Sequence, residues 1–224
     1  MKIGVCVPCY YAHIRYLGGL LMSIENQTLK PHIVSISISG VTDDIVVPTF
    51  TTTFPLKITT TDLKKNAGQN RNIAVDQIKD DIDIITFFDA DDFMHPKRLE
   101  IIDKAFKDDT CDVFMHGYWT CLRNLTDDEI IEKAKPIQIS EKILSSTIPP
   151  DRTYIHVISD DSGREIPVVN GHISLRVSIF ATYRVHENAI GFEDSLYTKN
   201  LFDAGFTIKF TPDVLSIYRF HGSR

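Results

Sequence analysis

The sequence predicts an α/β fold: a mostly parallel open sheet with helices on both faces, continued by an α+β second half. Three observations carry this expectation. Short apolar runs alternate with stretches of helical period as far as Trp119. One run, residues 82–88, is apolar almost without interruption, as a parallel strand covered on both faces should be. The chain of 224 residues is also 43% hydrophobic, enough to bury a core without disulfide or metal staples.

Residues 3–7 read as a buried strand stopped by Pro8. Residues 16–25 carry Leu17, Leu20, Leu21 and Ile24 at helical spacing. A second strand over 32–39 alternates Ile33 or Val34 with Ile36 and Ile38, and Gly40 closes it. A short strand is expected at 56–58 within a Thr-rich stretch. Asn66 opens a helix reaching about Lys79, with Ile73, Ala74 and Ile78 on one face. After the strand at 82–88, Pro96 suits the first position of a helix carrying Leu99, Ile102 and Phe106. Residues 113–119 form a further strand. In such a sheet, ligands bind beyond the carboxyl ends of the strands. The second half is less regular. A helix is expected over 127–135, loop and hairpin over 145–163, and a helix over 192–204 ended by Gly205. Short strands at 207–210 and 214–218 complete the chain, and no repeat or linker divides it. One domain over 1–224 is expected, with room for it to be part of a longer protein.

Lys and Arg number 24 against 30 Asp and Glu, a net charge of −6 that argues against nucleic-acid binding through overall positive charge. No apolar run is long enough to cross a bilayer, and the N-terminus turns polar too soon for a signal peptide, so a cytoplasmic location is expected. Cys6 and Cys9 form a C-x-x-C, but Cys111 and Cys121 supply no second knuckle, which argues against structural zinc. Cys6 lies inside an apolar run, so a buried core thiol is preferred to a redox pair.

The strongest chemical feature is Asp89-Ala90-Asp91-Asp92, three carboxylates at the carboxyl end of the buried strand. Carboxylates at i and i+2 in that place suit a hard divalent cation or its diphosphate complex. Helix capping ahead of Pro96 is the plainer alternative and explains only one of the three. A second acidic pair, Glu193-Asp194, stands where carboxylates are also stabilised by a helix dipole. The segment Tyr218 to Ser223, containing His221, is by itself no more than a tail.

Together these segments resemble the GT-A glycosyltransferases, specifically the inverting family-2 group, over most of the chain. Val7-Pro8-Cys9-Tyr10 is similar to that family's opening strand and Pro-x-Tyr turn, and Ser23-x-x-x-Gln27-Thr28 to the end of its first helix. Asn66-x-Gly68-x-x-Arg71-Asn72 resembles the donor-side helix, Asp89-Ala90-Asp91 the D-x-D signature, and Glu193-Asp194 the pair carrying the catalytic base. The chain departs from the pattern at Ser39, where the family usually has an Asp against the nucleotide base, and at Tyr11, where it has Asn. It also lacks a Gln-x-x-Arg-Trp segment, unlike the processive polysaccharide synthases.

The resemblance implies transfer of a sugar from a nucleoside diphosphate to an acceptor hydroxyl, a glycan being the expected acceptor, with Mn²⁺ or Mg²⁺ as cofactor. Residues 1–119 would be the nucleotide-sugar half and 120–224 the acceptor half. Pro8, Tyr10, Ser39, Asn66, Arg71, Asp89 and Ala90 would bind the donor. Asp91, Asp89 and His221 would hold the metal, an imidazole ligand favouring Mn²⁺. Asp194 would be the general base and Glu193 would orient the acceptor. Asn170 to Ser174 are expected near the acceptor, and Arg71 near donor phosphate or base unless it pairs with Asp76 at the surface. Rival readings are a haloacid-dehalogenase-like phosphohydrolase, which should carry D-x-D on its first strand, and an inactive carbohydrate- or nucleotide-binding relative. A sugar nucleotidylyltransferase would need a Gly-rich N-terminal loop that is missing here.

Overall fold

The computed structural model describes residues 1–121, 125–145, 157–159, 163, 165–189 and 191–219. In chain order, β1 (Ile3–Tyr10) leads through a 3₁₀ segment (Tyr11–Tyr16) into α1 (Leu17–Glu25), β2 (Ile33–Ser39), β3 (Leu56–Thr61), α2 (Ala67–Asp76) and β4 (Ile84–Phe87). There follow β5 (Phe93–Met94), α3 (Arg98–Phe106), β6 (Val113–Cys121), α4 (Asp127–Ala134) and β7 (Leu144–Ser145). The remainder is β8 (Val157–Ser159), β9 (Glu165–Pro167), a 3₁₀ turn (Asn170–His172), β10 (Ser174–Arg176), α5 (Val177–Phe180), α6 (Glu193–Asp203) and β11 (Ile208–Arg219).

The main sheet runs β3-β2-β1-β4-β10-β6-β11-β5, with β7 beside β11. The chain moves outward from β1 to β2 and β3, then returns to the other side of β1 with β4. That reversal opens a crevice beyond the carboxyl ends of β1 and β4. The four N-terminal strands are parallel, as the sequence predicts. Beyond them the sheet is mixed, because β10 inserts antiparallel between β4 and β6. Three residues are too few to show a period, so β10 leaves no trace in the sequence.

Helices cover both faces, and strand alternation divides the core between them. Val5 and Val7 pack with Leu17, Leu20, Ile24, Leu99 and Phe106 on one face. Cys6 packs with Ala74, Val75, Phe87, Tyr197 and Leu201 on the other. Cys9 belongs to the first face, so the two thiols of the C-x-x-C point to opposite sides of the sheet. Burial pushes both thiols up, Cys9 to about 12 with Asp91 adding to it, which removes the thiolate that redox chemistry needs.

Pro8 does not stop β1, which continues to Tyr10 beside β2. The Cys6 carbonyl accepts from Phe88 on the β4 side, and Pro8 faces that same side two residues on. Pairing with β4 has ended at Cys6, so the proline's missing N–H falls where no ladder partner exists. The two expected C-terminal strands are one, β11, whose register shifts between Thr211 and Ser216 absorb Pro212. The expected hairpin is β8 with β9. Residues 146–156 and 160–162 of the expected loop and hairpin lie outside the described residues. Among the described residues no helix is long and apolar enough to cross a membrane.

Candidate active site

Two cavities meet at the crevice. The larger, about 550 Å³, is lined by Pro8 and Tyr10 of β1, Arg71 of α2, the loop after β4 and the first turn of α6. The second, about 420 Å³, shares Gly191, Asp194 and Tyr218 with the first and extends toward Tyr118 and Asn170.

Arg71 ties the donor-side elements together. It is buried, donating through Nη2 to Asp89 Oδ1 (2.8 Å) and through Nη1 to Glu193 Oε1 (2.8 Å). The expected alternative, a surface pair with Asp76, is not formed, since Asp76 pairs with Arg184 and Lys79 instead. α2 presents Arg71 because Asn66 caps it, accepting from the Gln69 N–H while the Gln69 side chain returns to the Asn66 N–H. Gly68 permits the first turn of α2 to approach the His186 carbonyl, which a Cβ would strike.

Burial raises the Asp89 carboxyl to about 6; Asp91 and Asp194 add to this, while Arg71 opposes it. Asp91 lines the larger cavity with its Oδ2 3.6 Å from His13 Nδ1. Asp92 turns the other way and is fully buried. Its Oδ1 accepts from the Arg219 N–H (2.7 Å), and its Oδ2 lies 3.2 Å from His172 Nε2. Neither Asp92 nor Asp91 caps α3, which starts after Lys97 without a side-chain cap. Burial holds Asp92 well above the usual carboxylate range, and burial with Arg98 nearby holds His172 well below the usual imidazole range. His172 stacks on Phe88 and shares a hydrogen bond with Ser216 through Nδ1 (2.9 Å).

Asp89, Asp92 and His172 bring one donor atom each within 4.8 Å of one another. Among the described residues, Asp92 Oδ2 and His172 Nε2 are buried and have no hydrogen-bond partner, although they lie close to each other. Their 3.2 Å separation is near the edge of about 3 Å expected between neighbouring octahedral ligands at about 2.1 Å. Two carboxylates and an imidazole are a donor set that a divalent cation such as Mn²⁺ accepts. The sequence marks Asp92 as the third acid of its run and His172 only as part of an expected acceptor segment.

Asp194 sits in the first turn of α6, where its Oδ1 accepts from the Ser195 N–H (2.6 Å). A Cβ on Gly171 would lie 2.9 Å from Asp89 Oδ2, 3.1 Å from Arg71 Nη2 and 3.5 Å from Asp194 Oδ2. Only glycine leaves that junction open. Glu193 is held against Arg71 and lines the larger cavity, not the second.

Of the other expected donor residues, Ala90 lines the larger cavity. Ser39 does not. It is fully buried, its hydroxyl donating to the Lys65 carbonyl and accepting from Asn70, which itself lines the cavity. Direct contact with a nucleotide base is therefore corrected to support of Asn70. Asn66 is likewise the cap of α2 and not a wall of the cavity. His221 lies outside the described residues. Arg219 stands just before that segment, donating through Nε to the Asp91 carbonyl and through Nη2 to Asp127.

The glycosyl transferase family 2 profile matches residues 4–167. Among solved structures, residues 1–349 of S. aureus TarS in complex with UDP superimpose with a TM-score of 0.67 at 17% identity, covering 98% of this chain and 61% of that one. The same TarS fragment in complex with UDP-GlcNAc gives 0.68 at 16% identity, over 100% and 60%. A further TarS structure gives 0.68 at 17% identity, over 98% and 37%. At such identities the likeness is one of fold, and the chain spans at most about three fifths of these neighbours. No curated protein matches the chain significantly.

Proposed function

The chain belongs to glycosyl transferase family 2, and from that premise we propose that it is a glycosyltransferase that moves a sugar from a nucleoside diphosphate to an acceptor hydroxyl with inversion. One observation carries the reading: Asp194 stands on the wall shared by both cavities, whereas Asp89 and Asp91 line only the larger. Donor diphosphate in the larger cavity and acceptor in the second would place the reacting atoms at Asp194. Its carboxylate would accept the hydroxyl proton as the acceptor attacks. Glu193 and Asp89 fix the Arg71 guanidinium from two sides in the wall of the larger cavity, where it would meet the diphosphate. Pro8 and Tyr10 line the same cavity and would border the nucleotide.

TarS in complex with UDP and with UDP-GlcNAc supports a nucleotide-sugar donor and makes UDP-GlcNAc the first to test. We infer cation dependence as well. Asp89 and Asp91 face the larger cavity, where their oxygens can share a cation with diphosphate, in line with the set expected from the sequence. Asp92 Oδ2 and His172 Nε2, buried side by side without a hydrogen bond among the described residues, favour a second set, Asp89 with Asp92 and His172. When bound, a divalent cation would supply Lewis-acid stabilisation of the charge building on the leaving diphosphate.

The test combines a binding panel with one variant. UDP-, GDP-, dTDP- and CDP-sugars are screened by thermal shift with and without Mn²⁺, and transfer is followed with the donor that binds. Asp194→Asn should lower turnover by about 10²–10⁴-fold with donor affinity nearly unchanged. Near-normal turnover would remove Asp194 as the base, and a product retaining the donor's anomeric configuration would overturn single displacement.

A further inference from the structure

We propose that the second cavity is a subsite for an uncharged pyranoside, so that the acceptor is a neutral sugar and not an anionic polyol or sugar phosphate. The proposal rests on the reading of Asp194 as the base facing this cavity. At about 420 Å³ the cavity falls within the range of about 300–1,000 Å³ typical of small-ligand sites. Its lining is aromatic. Tyr118, Phe192 and Tyr218 are three of the nine exposed large apolar side chains among the described residues, and all three border this one space. Exposed apolar side chains scattered singly need no explanation, but a cluster around a cavity marks a recognition surface.

A pyranose ring suits such a lining. Its C–H faces are apolar and pack on aromatic rings, while its hydroxyls project at the rim and need polar partners. Asn170 and Ser195 are polar groups of the lining, buried in its wall, the Asn170 amide donating to the Ser195 hydroxyl (3.1 Å). Among the described lining residues there is no Lys, Arg or His, and the single carboxylic acid is Asp194. A phosphate placed there would stand against the Asp194 carboxylate, and the described lining of this cavity offers it no cation. The larger cavity differs: beside Asp89, Asp91, Glu193 and Asp194 it has Arg71 and Lys65 in its walls, cationic partners that a diphosphate can use.

Tyr118 and Phe192 line the second cavity alone, whereas Tyr218 borders both, so the first two make the cleaner variants. Saturation-transfer NMR and calorimetry on the whole chain would use p-nitrophenyl β-glucoside and methyl hexopyranosides as neutral probes and glycerol 3-phosphate as the anionic one. The neutral glycosides should bind with saturation on their ring C–H protons, and glycerol 3-phosphate should bind at least 10-fold more weakly. Tyr118→Ala and Phe192→Ala should each weaken the glycosides at least 5-fold, with a UDP titration reporting that the variants are folded. Unchanged glycoside affinity in both folded variants, or tighter binding of glycerol 3-phosphate, would overturn the subsite. If glycoside binding follows the aromatic residues while Asp194→Asn keeps its turnover, the base assignment falls and the subsite stands. If Asp194→Asn loses its turnover while glycosides are indifferent to both aromatics, the base stands and the subsite falls.

Discussion

Asp89 accepts from Arg71 yet its carboxyl is raised to about 6, because burial, Asp91 and Asp194 outweigh one guanidinium that Glu193 also shares. A folded-state value above the ordinary 3.8 means that the folded chain holds this proton more tightly than the unfolded one. The group's contribution to stability is therefore present below pH 3.8 and lost as pH rises toward about 6. Cation binding runs the other way, since it needs the ionised carboxylate. Mn²⁺-dependent nucleotide affinity should fall on acidification through about pH 6, and Asp91→Ala should abolish the Mn²⁺ dependence while leaving the fold intact. Calorimetry at several pH values on both proteins checks this, and an Asp91→Ala chain with undiminished Mn²⁺ dependence would leave Asp89, Asp92 and His172 as the cation set. Asp89, Asp91 and Asp194 stand out in the sequence by residue type alone, and all three line the larger cavity. The place of Ser39 was not legible there, because its partners Asn70 and Lys65 come together only when β2 meets α2.

Elements with local signals were legible. The Asn66-x-x-Gln69 capping box, the apolar face of α1 and the run of β4 all carry their own period or cap. Elements defined by partners were not: β5 and β10 are two and three residues long and exist as strands only through β11, β4 and β6. β1 fails differently, since Pro8 reads as a stop until the end of the β4 ladder is known. The α2 cap offers a prediction at this scale. Asn66→Ala removes the oxygen that accepts from the Gln69 N–H, together with the amide that donates to the Glu187 carbonyl. Loss of such a cap costs about 0.5–2 kcal/mol. Urea denaturation should show a shift of that size with an unchanged slope, and nucleotide affinity should weaken because Arg71 rides on the same helix. A variant as stable as the parent would mean that the Glu187 segment or water replaces the cap.

At the scale of the molecule, the site draws on both halves of the chain, and the sheet is continuous across them. β4 of the first half pairs with β10 of the second, and β5 pairs with β11. Arg98 reinforces this from within. It is fully buried at the start of α3, donating to Thr86 Oγ1 (2.8 Å) and the Phe87 carbonyl (3.3 Å) in the first half. Toward the second half it donates to the His172 carbonyl (2.8 Å), and it also reaches His116 Nε2 (3.1 Å) on β6. Burial lowers its guanidinium to about 9, so it is still charged at neutral pH and stays because these acceptors converge on it. We therefore expect one cooperative unfolding transition for the whole chain, with circular dichroism and Trp119 fluorescence coincident. Arg98→Leu strands several buried acceptors at about 1–3 kcal/mol each, a large share of the roughly 5–15 kcal/mol typical of a domain. Stability should drop by at least roughly 3 kcal/mol, and the two probes should separate as the halves uncouple. Two transitions in the parent chain would instead show that donor and acceptor halves fold apart, and that Arg98 joins modules already stable on their own.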